Sequence, residues 1–253
     1  MTTINKQTAI LITVFIVTVV TSVTTLNGAI TGVNDQNNGN APADRVNERA
    51  KSHFPVVDYE APEDPEPNKR MERNQKSKRY DRFGLVRKQS SVDITESVFH
   101  TDWYQNIEAL PVKQSHDIVI GLVRNTEAHL SNDKSGVYTE VVVEIREVLK
   151  SENDSLAHKE KLRVDRPGGF VKYPGGHKRL YHFADMNAPA VGGEYLFFLT
   201  KPDHSPNYGM LTAYELNPQG VNPLDTAAIF RAFSGMERDA FLVKVRELIH
   251  SSN

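Results

Sequence analysis

The residues of this chain that could do chemistry are histidines and carboxylates, since cysteine is absent. His177 and His182 lie in a turn-rich segment with Asp185 nearby. Imidazole and carboxylate groups placed in this way could hold zinc, or could serve as acid and base in a hydrolase. No H-E-x-x-H spacing accompanies them, and solvent-facing or hydrogen-bonded histidines give the same pattern. The 177–185 loop is therefore an alternative hydrolase site, and no metal or other cofactor is predicted.

Other catalytic patterns in the chain are incomplete. Ser131 and Lys134 have the S-x-x-K spacing of a serine nucleophile, but they fall in a predicted turn rather than on a helix. Asp165, Asp185 and Asp203 could form paired carboxylates, although a sequence does not show which of them meet in space. The chain contains no G-x-S-x-G motif and no phosphate-binding or dinucleotide-binding motif. No catalytic residue is predicted, and a binding function is favoured over an enzymatic one.

The element that must position any site is a long β-hairpin. A continuous apolar run at 118–123 is followed by a polar turn at 131–136. From Val137 onward apolar and polar residues alternate, which is the pattern of a half-buried strand. The alternation changes phase after Ile145, which predicts a β-bulge. A strand of this length must coil in a small domain, so the hairpin favours a barrel over a flat sheet.

Shorter elements surround the hairpin. Further strands are predicted at 161–166, 195–199, 209–216 and 220–224, and Pro-Gly-Gly turns at 167–169 and 174–176. Apolar spacing predicts a short entry helix over 95–109. A capping-box pattern that begins at Ser234 and ends at Glu237 predicts a C-terminal helix over 235–250. Several short strands without βαβ alternation indicate a mainly β fold. We expect a small antiparallel Greek-key barrel of the OB type.

The first 30 residues contain an apolar segment, with no charged residue between Lys6 and Asp35. Residues 9–26 would cover roughly 27 Å as a helix, about the thickness of the bilayer hydrocarbon. The nearest cations, Lys6 and Arg45, indicate an orientation with the amino terminus in the cytoplasm and the rest outside. An uncleaved signal-anchor and a secretory signal peptide both fit. The chain is therefore predicted to be membrane-anchored or secreted, with an extracytoplasmic domain.

Residues 31–90 have the composition of a disordered, charged linker. The stretch 58–66 carries five acidic residues and no basic ones, whereas 69–88 carries nine basic residues. The basic stretch could be a solvated spacer, or it could adhere to an anionic surface. Because the orientation places it outside the cytoplasm, nucleic acid is not an expected partner. The folded domain is then predicted to span residues 91–253.

Several motifs of the folded domain are familiar. They are ALPV at 109–112, SHDIVIG at 115–121, VYTE at 137–140, EVLK at 147–150, RPGG at 166–169 and GEYLFFL at 193–199. This pattern resembles a group of uncharacterised secreted or membrane-anchored bacterial proteins, and it is similar to the netrin-like, tissue-inhibitor-of-metalloproteinases-like OB barrel. The resemblance implies a fold. The eukaryotic inhibitory site depends on an amino-terminal cysteine, which this chain lacks, so the resemblance implies no catalytic or inhibitory residue.

Together these features predict a non-enzymatic extracytoplasmic binding or assembly module that is tethered to the membrane. The expected partner is an envelope protein or a cell-wall polymer, with the membrane itself contacted through residues 9–26. Small barrels of this type bind ligands across one face. The binding surface is accordingly predicted around Phe170, Tyr173, Tyr181 and Tyr208. The alternative is an envelope hydrolase that uses the histidine and aspartate residues of the 177–185 loop.

Overall fold

The computed structural model describes residues 53–84, 86, 95–99, 106–152, 156–202 and 205–252. Its strands are β1 Val56–Asp58, β2 Glu96–Phe99, β3 Asp117–Leu130, β4 Val137–Ser151, β5 Lys161–Pro167, β6 Gly169–Lys172, β7 Lys178–Phe183, β8 Glu194–Thr200, β9 Tyr208–Asn217 and β10 Gly220–Pro223. Its α-helices are α1 Pro67–Ser77 and α2 Arg238–Ser252, and its 3₁₀ helices are Lys78–Tyr80 and Ala228–Phe233. The predicted mainly β class is confirmed.

The larger sheet has the strand order β10-β9-β5-β4-β3-β8, and β8 also pairs with β9. Four strands, namely β3, β4, β5 and β8, therefore each have two neighbours, and β9 has three. The pairing of β5 with β9 is parallel, and the others in this sheet are antiparallel. Consecutive side chains along β3 and β8 point to opposite faces, so each face carries its own apolar cluster.

The long hairpin predicted from the alternation is confirmed as β3 and β4. Ile120 pairs with Glu147 and Gly121 pairs with Ile145, which leaves one residue of β4 unpaired at the predicted phase change. This is the expected bulge, and it bends the hairpin. A Cβ atom added to Gly121 would lie 2.2 Å from Cγ1 of Val143, so glycine is required where the two strands approach.

The smaller sheet has the order β1-β6-β7-β2. Its central hairpin, β6 and β7, turns at the second Pro-Gly-Gly, where Gly176 adopts a φ of +84°. Both edge strands come from residues ahead of the long hairpin. β1 runs parallel to β6, and β2 runs parallel to β7. The smaller sheet is therefore completed by chain segments that were not predicted to be strands.

The predicted C-terminal helix is confirmed as α2, but its cap differs from the expected one. The Glu237 carboxylate accepts the backbone N–H groups of Asp239 (3.0 Å) and Ala240 (2.8 Å). A carboxylate at the N-cap satisfies two of the open donors of the first turn and interacts favourably with the helix dipole. The apolar stripe of the helix, which includes Phe241 and Val245, packs against the larger sheet.

The prediction of a disordered linker over 31–90 is wrong for residues 53–84, which contain β1 and α1. Phe54 and Tyr80 of this segment are 3% exposed, and Lys76 is 6% exposed. Composition suggested disorder because it counts charges without their partners, and Lys76 has a buried partner, Glu140, in β4. The remainder of the predicted linker, and the apolar segment 9–26, lie outside the described residues. Within the described part, no helix combines the length and apolarity needed to cross a membrane.

The entry helix predicted over 95–109 is also wrong where the chain is described. Residues 96–99 form β2, in which Ser97 pairs with Tyr181 and Phe99 with Phe183. Asn106 follows in a turn with a φ of +66°. Apolar residues at spacings of three and four suggested a helix, but pairing with an open sheet edge overrides such a short pattern. Trp103, in the middle of the predicted helix, lies outside the described residues.

Candidate functional site

The four aromatic residues predicted to form a binding surface are not brought together. Phe170, Tyr173 and Tyr181 belong to the smaller sheet and its turn, whereas Tyr208 begins β9 and packs into the core of the larger sheet. Tyr173 and Tyr181 are 3% and 1% exposed, and their hydroxyl groups are 2.5 Å apart. Phe170 is half-buried. These rings belong to three different apolar clusters and do not form an exposed aromatic face.

The 177–185 loop does not gather its polar groups either. His182 is buried on β7, with Nε2 2.5 Å from Oε1 of Glu96. The His177 ring instead stacks on Tyr173, with ring centroids 4.9 Å apart. Asp185 is exposed and accepts a hydrogen bond from the Thr226 hydroxyl. No cluster of three or more metal-ligating side chains occurs in the described part of the chain.

The S-x-x-K pair is part of the hairpin turn. The Ser131 hydroxyl donates to Oδ1 of Asp133 (2.7 Å), and Lys134 Nζ donates to the carbonyl oxygen of Tyr59 (2.9 Å). Asp133 also accepts the Ser135 hydroxyl and the backbone N–H groups of Ser135 and Arg82. These bonds fix the turn and engage both residues of the pair, so they do not form a nucleophile and its base.

The buried charges of the domain gather on one face of β4 and β5. Glu140 and Asp165 are cross-strand partners and are 4% and 1% exposed. They lie on the face opposite to Val141 and Val164, because side chains alternate along each strand. The Asn207 side-chain amide donates to both carboxylates, at 2.9 Å to Glu140 Oε2 and 2.7 Å to Asp165 Oδ1. We refer to Glu140 and Asp165 as the carboxylate pair.

Cations from the segment 53–84 cover the carboxylate pair. Lys76 Nζ, at the end of α1, lies 3.3 Å from Glu140 Oε2, and Arg79 Nη1 lies 3.6 Å from Asp165 Oδ2. Arg163 of β5 forms a further ion pair with Glu140. Two like charges directly opposite each other in a sheet are destabilising. The segment therefore supplies positive charge that offsets the repulsion between the two carboxylates of β4 and β5.

The two carboxylates have different acidities. Burial raises the pKa of Asp165 to about 6, a rise that the hydrogen bond from Asn207 reduces and the negative charge of Glu140 increases. Burial also raises the pKa of Glu140, but Lys76, the Asn207 hydrogen bond and Arg163 outweigh this effect and hold the pKa below its usual value. At neutral pH the pair therefore carries two negative charges, and that of Asp165 is costly to keep.

Aromatic and backbone contacts fix the segment 53–84 on this face. The Tyr80 ring stacks on Tyr138 with centroids 4.2 Å apart and an interplanar angle of 9°. The hydroxyl groups of Ser77 and Tyr138 are 2.9 Å apart. A Cβ atom added to Gly136 would lie 2.4 Å from the carbonyl oxygen of Tyr80, so the hairpin turn needs glycine where the segment crosses it. The position of the segment is thus specified by the sheet beneath it.

A cavity of about 570 Å³ opens beside the carboxylate pair, between this segment and residues 200–202 and 209–211. Its lining includes the charged residues Arg79, Lys201 and Asp165 and the imidazole of His116, and Phe83 and Met210 are among its apolar residues. The volume lies within the usual range of small-molecule sites, about 300–1,000 Å³. The cavity is therefore a candidate ligand site in the described part of the chain.

Sequence reasoning missed most of this site. Asp165 was a candidate carboxylate, but Glu140 and Asn207 were not, and Asp203 lies outside the described residues. The available signal was Glu140 itself, an acidic residue in the most regular part of an alternating strand. Its partner depends on the register between β4 and β5, which the sequence does not reveal. No protein-family model and no curated protein matches the chain.

Proposed function

We propose that this chain is a non-enzymatic binding or assembly module that acts outside the cytoplasm and is built on an OB-type barrel of the netrin-like kind. The pairings among β3, β4, β5, β9 and β8, with a parallel contact between β5 and β9, support the barrel. In an OB barrel the ligand is bound on the face of the second and third strands and by the loops after the first and fourth. In this chain these elements are β4, β5, the turn 131–136 and the loop 201–207.

The observation that carries the proposal is the position of the cavity. It lies against β5 and against Lys201 and Pro202, which follow the fourth strand of the proposed barrel, and an OB barrel takes its ligand in this region. The segment 53–84 lies over β4 and β5 and supplies Arg79, Tyr80 and Phe83 to the cavity wall. The segment therefore completes the site, and the domain needs it for binding as well as for neutralising the carboxylate pair.

The partner we propose is an envelope protein or a cell-wall polymer. The apolar amino-terminal segment 9–26, acting as a signal-anchor or a signal peptide, would deliver the domain to that compartment. An anchored domain would meet partners close to the membrane, and a secreted one would meet them throughout the envelope.

Affinity capture tests the proposal. The full chain is immobilised through its carboxyl terminus, exposed to envelope extract and washed with increasing salt. Retention of one protein or polymer in a fixed ratio to the chain is the expected result. Its loss in a Phe83→Ala, Met210→Ala variant would assign it to the cavity if that variant still unfolds cooperatively, because Met210 also packs in the core. Equal retention by an unrelated immobilised protein would contradict the proposal.

One observation favours a second candidate, an envelope hydrolase. Two neighbouring carboxyl groups whose pKa values are pushed apart are a common arrangement for an acid and a base. Here Glu140 and Asp165 would take these roles in place of the 177–185 loop. Both are covered by Lys76, Arg79 and Asn207, which leaves little room for a substrate. Hydrolysis of an envelope polymer by the wild-type chain, lost in both Glu140→Gln and Asp165→Asn variants that remain folded, would establish the enzyme.

A further inference from the structure

We propose that the cavity binds the carboxylate or phosphate group of an anionic envelope polymer, with Arg79 and Lys201 as its cationic contacts. This inference rests on the proposed binding function and adds the chemical class of the ligand. The cavity combines a guanidinium that is held in place with unused N–H donors, an excess of positive charge and an apolar wall.

Arg79 is oriented before any ligand arrives. Its Nη1 donates to Oγ of Ser205 at 3.3 Å and lies 3.6 Å from Asp165 Oδ2. Its guanidinium carbon lies 5.6 Å from the centre of the Tyr80 ring. A guanidinium has five N–H donors, and those on Nε and Nη2 have no hydrogen-bond acceptor among the described residues. Because the Arg79 side chain is 32% exposed, these donors can reach a ligand without the group being reorganised.

The charge at the cavity favours an anion. Arg79 and Lys201 are both cationic, and Lys201 is exposed. His116 adjoins them, and its Nδ1 accepts the backbone N–H of Lys201 at 3.3 Å. The other side of the His116 ring faces Glu152, 4.0 Å away, which is not part of the cavity wall. Asp165 is the single carboxylate of the wall, and it is fully buried behind Arg79. An incoming oxyanion therefore meets two cations before it meets a negative charge.

The rest of the wall indicates a ligand with an uncharged body. Phe83, Met210 and Leu211 form an apolar side next to the cations. Gly209 also lines the cavity and has no room for a side chain, since a Cβ atom there would lie 2.9 Å from Thr200 Oγ1 and 3.9 Å from Arg79 Nη2. A sugar acid, or a polyol that carries phosphate, combines such a body with one anionic group. A bare anion would leave most of the volume unfilled.

Saturation-transfer NMR on the full chain in detergent micelles tests this inference. The probes are glucuronate and glycerol phosphate, each paired with its neutral counterpart, glucose or glycerol. We expect saturation transfer to one or both anionic probes and much less to the neutral ones. The two anionic probes separate a carboxylate-bearing polymer from a phosphate-bearing one. Loss of a charge-assisted contact should weaken binding about tenfold or more in either Arg79→Gln or Lys201→Gln.

Lys172→Gln is the matched control, because Lys172 is an exposed lysine of β6 that does not line the cavity. Its affinity for the anionic probe should equal that of the wild type. Lys201→Gln keeps the test informative if Arg79→Gln disturbs the packing of the segment 53–84, since Lys201 lies outside that segment. Equal signals for charged and neutral probes, or unchanged affinity in both variants, would overturn the inference. Capture of an uncharged polymer or a protein would still support the proposed function. A failure of the anion-binding inference is therefore distinguishable from a failure of the proposed function.

Discussion

Replacing Asp165 with asparagine should make the domain more stable at neutral pH. In the folded chain the pKa of Asp165 is about 6, against an ordinary value of 3.8. The folded state therefore holds the proton more tightly than the unfolded state does. The stability that this group contributes is complete below about pH 4 and is lost as the pH rises through 6. One pKa unit corresponds to about 1.4 kcal/mol, so ionised Asp165 lowers the free energy of unfolding by about 3 kcal/mol at pH 7.

The measurement is urea unfolding of the wild type and of Asp165→Asn between about pH 4 and pH 7, a window set by the two pKa values. Asparagine keeps the acceptor for Asn207 and does not titrate. The stability difference should be small at the acid end and grow by about 3 kcal/mol toward pH 7 in favour of the variant. Asp185→Asn is the control, since Asp185 is exposed and asparagine tolerates its φ of +62°. A difference for Asp165→Asn that does not change with pH would refute the reasoning.

Three further predictions concern contacts made by individual residues. Lys76→Met should destabilise the domain by about 3 kcal/mol in urea unfolding, because it removes a cation from buried Glu140; an unchanged midpoint would mean that Arg163 and Asn207 suffice. Gly136→Ala should make the chain around α1 sensitive to limited proteolysis, because the new Cβ would collide with the Tyr80 carbonyl; Gly175→Ala, in a turn with more space, should remain resistant. Glu237→Ala should cost about 1 kcal/mol in thermal unfolding through loss of the α2 cap, and no loss would show that water replaces the carboxylate.

The parts of the fold predicted correctly depend on local information. The alternation along β4 and its phase change after Ile145 are visible within one stretch of chain, because side-chain period and bulge are properties of a single strand. The Pro-Gly-Gly turn at Gly176 is likewise local, since only a positive φ there is required. The start of α2 was predicted a few residues too early, because the observed cap is Glu237. Such a difference is the usual uncertainty at helix ends.

The parts that were missed depend on contacts between distant segments. The segment 53–84 looks disordered by composition, yet Lys76 meets Glu140 across 64 positions of the sequence. Tyr173 and Tyr181 look like recognition residues because tyrosine is common at binding surfaces, but a shared hydrogen bond between their hydroxyl groups allows both to be buried. The candidate site is a product of such contacts, since its wall comes from the segment 53–84, β5, β9 and residues 200–202.

The parallel edge strands of the smaller sheet constrain the order in which the protein can fold. β1 pairs with β6, so Val56 can take its place in the sheet only after Phe170 has been synthesised, more than a hundred residues later in the chain. During synthesis or export the amino-terminal part emerges first and has no sheet to join. Contacts of such long range slow folding and leave the early segment open to proteases and to mispairing. A chaperone that holds residues 53–84 until the rest of the chain has been made should therefore raise the yield of the folded domain more than one that acts on its carboxyl-terminal half.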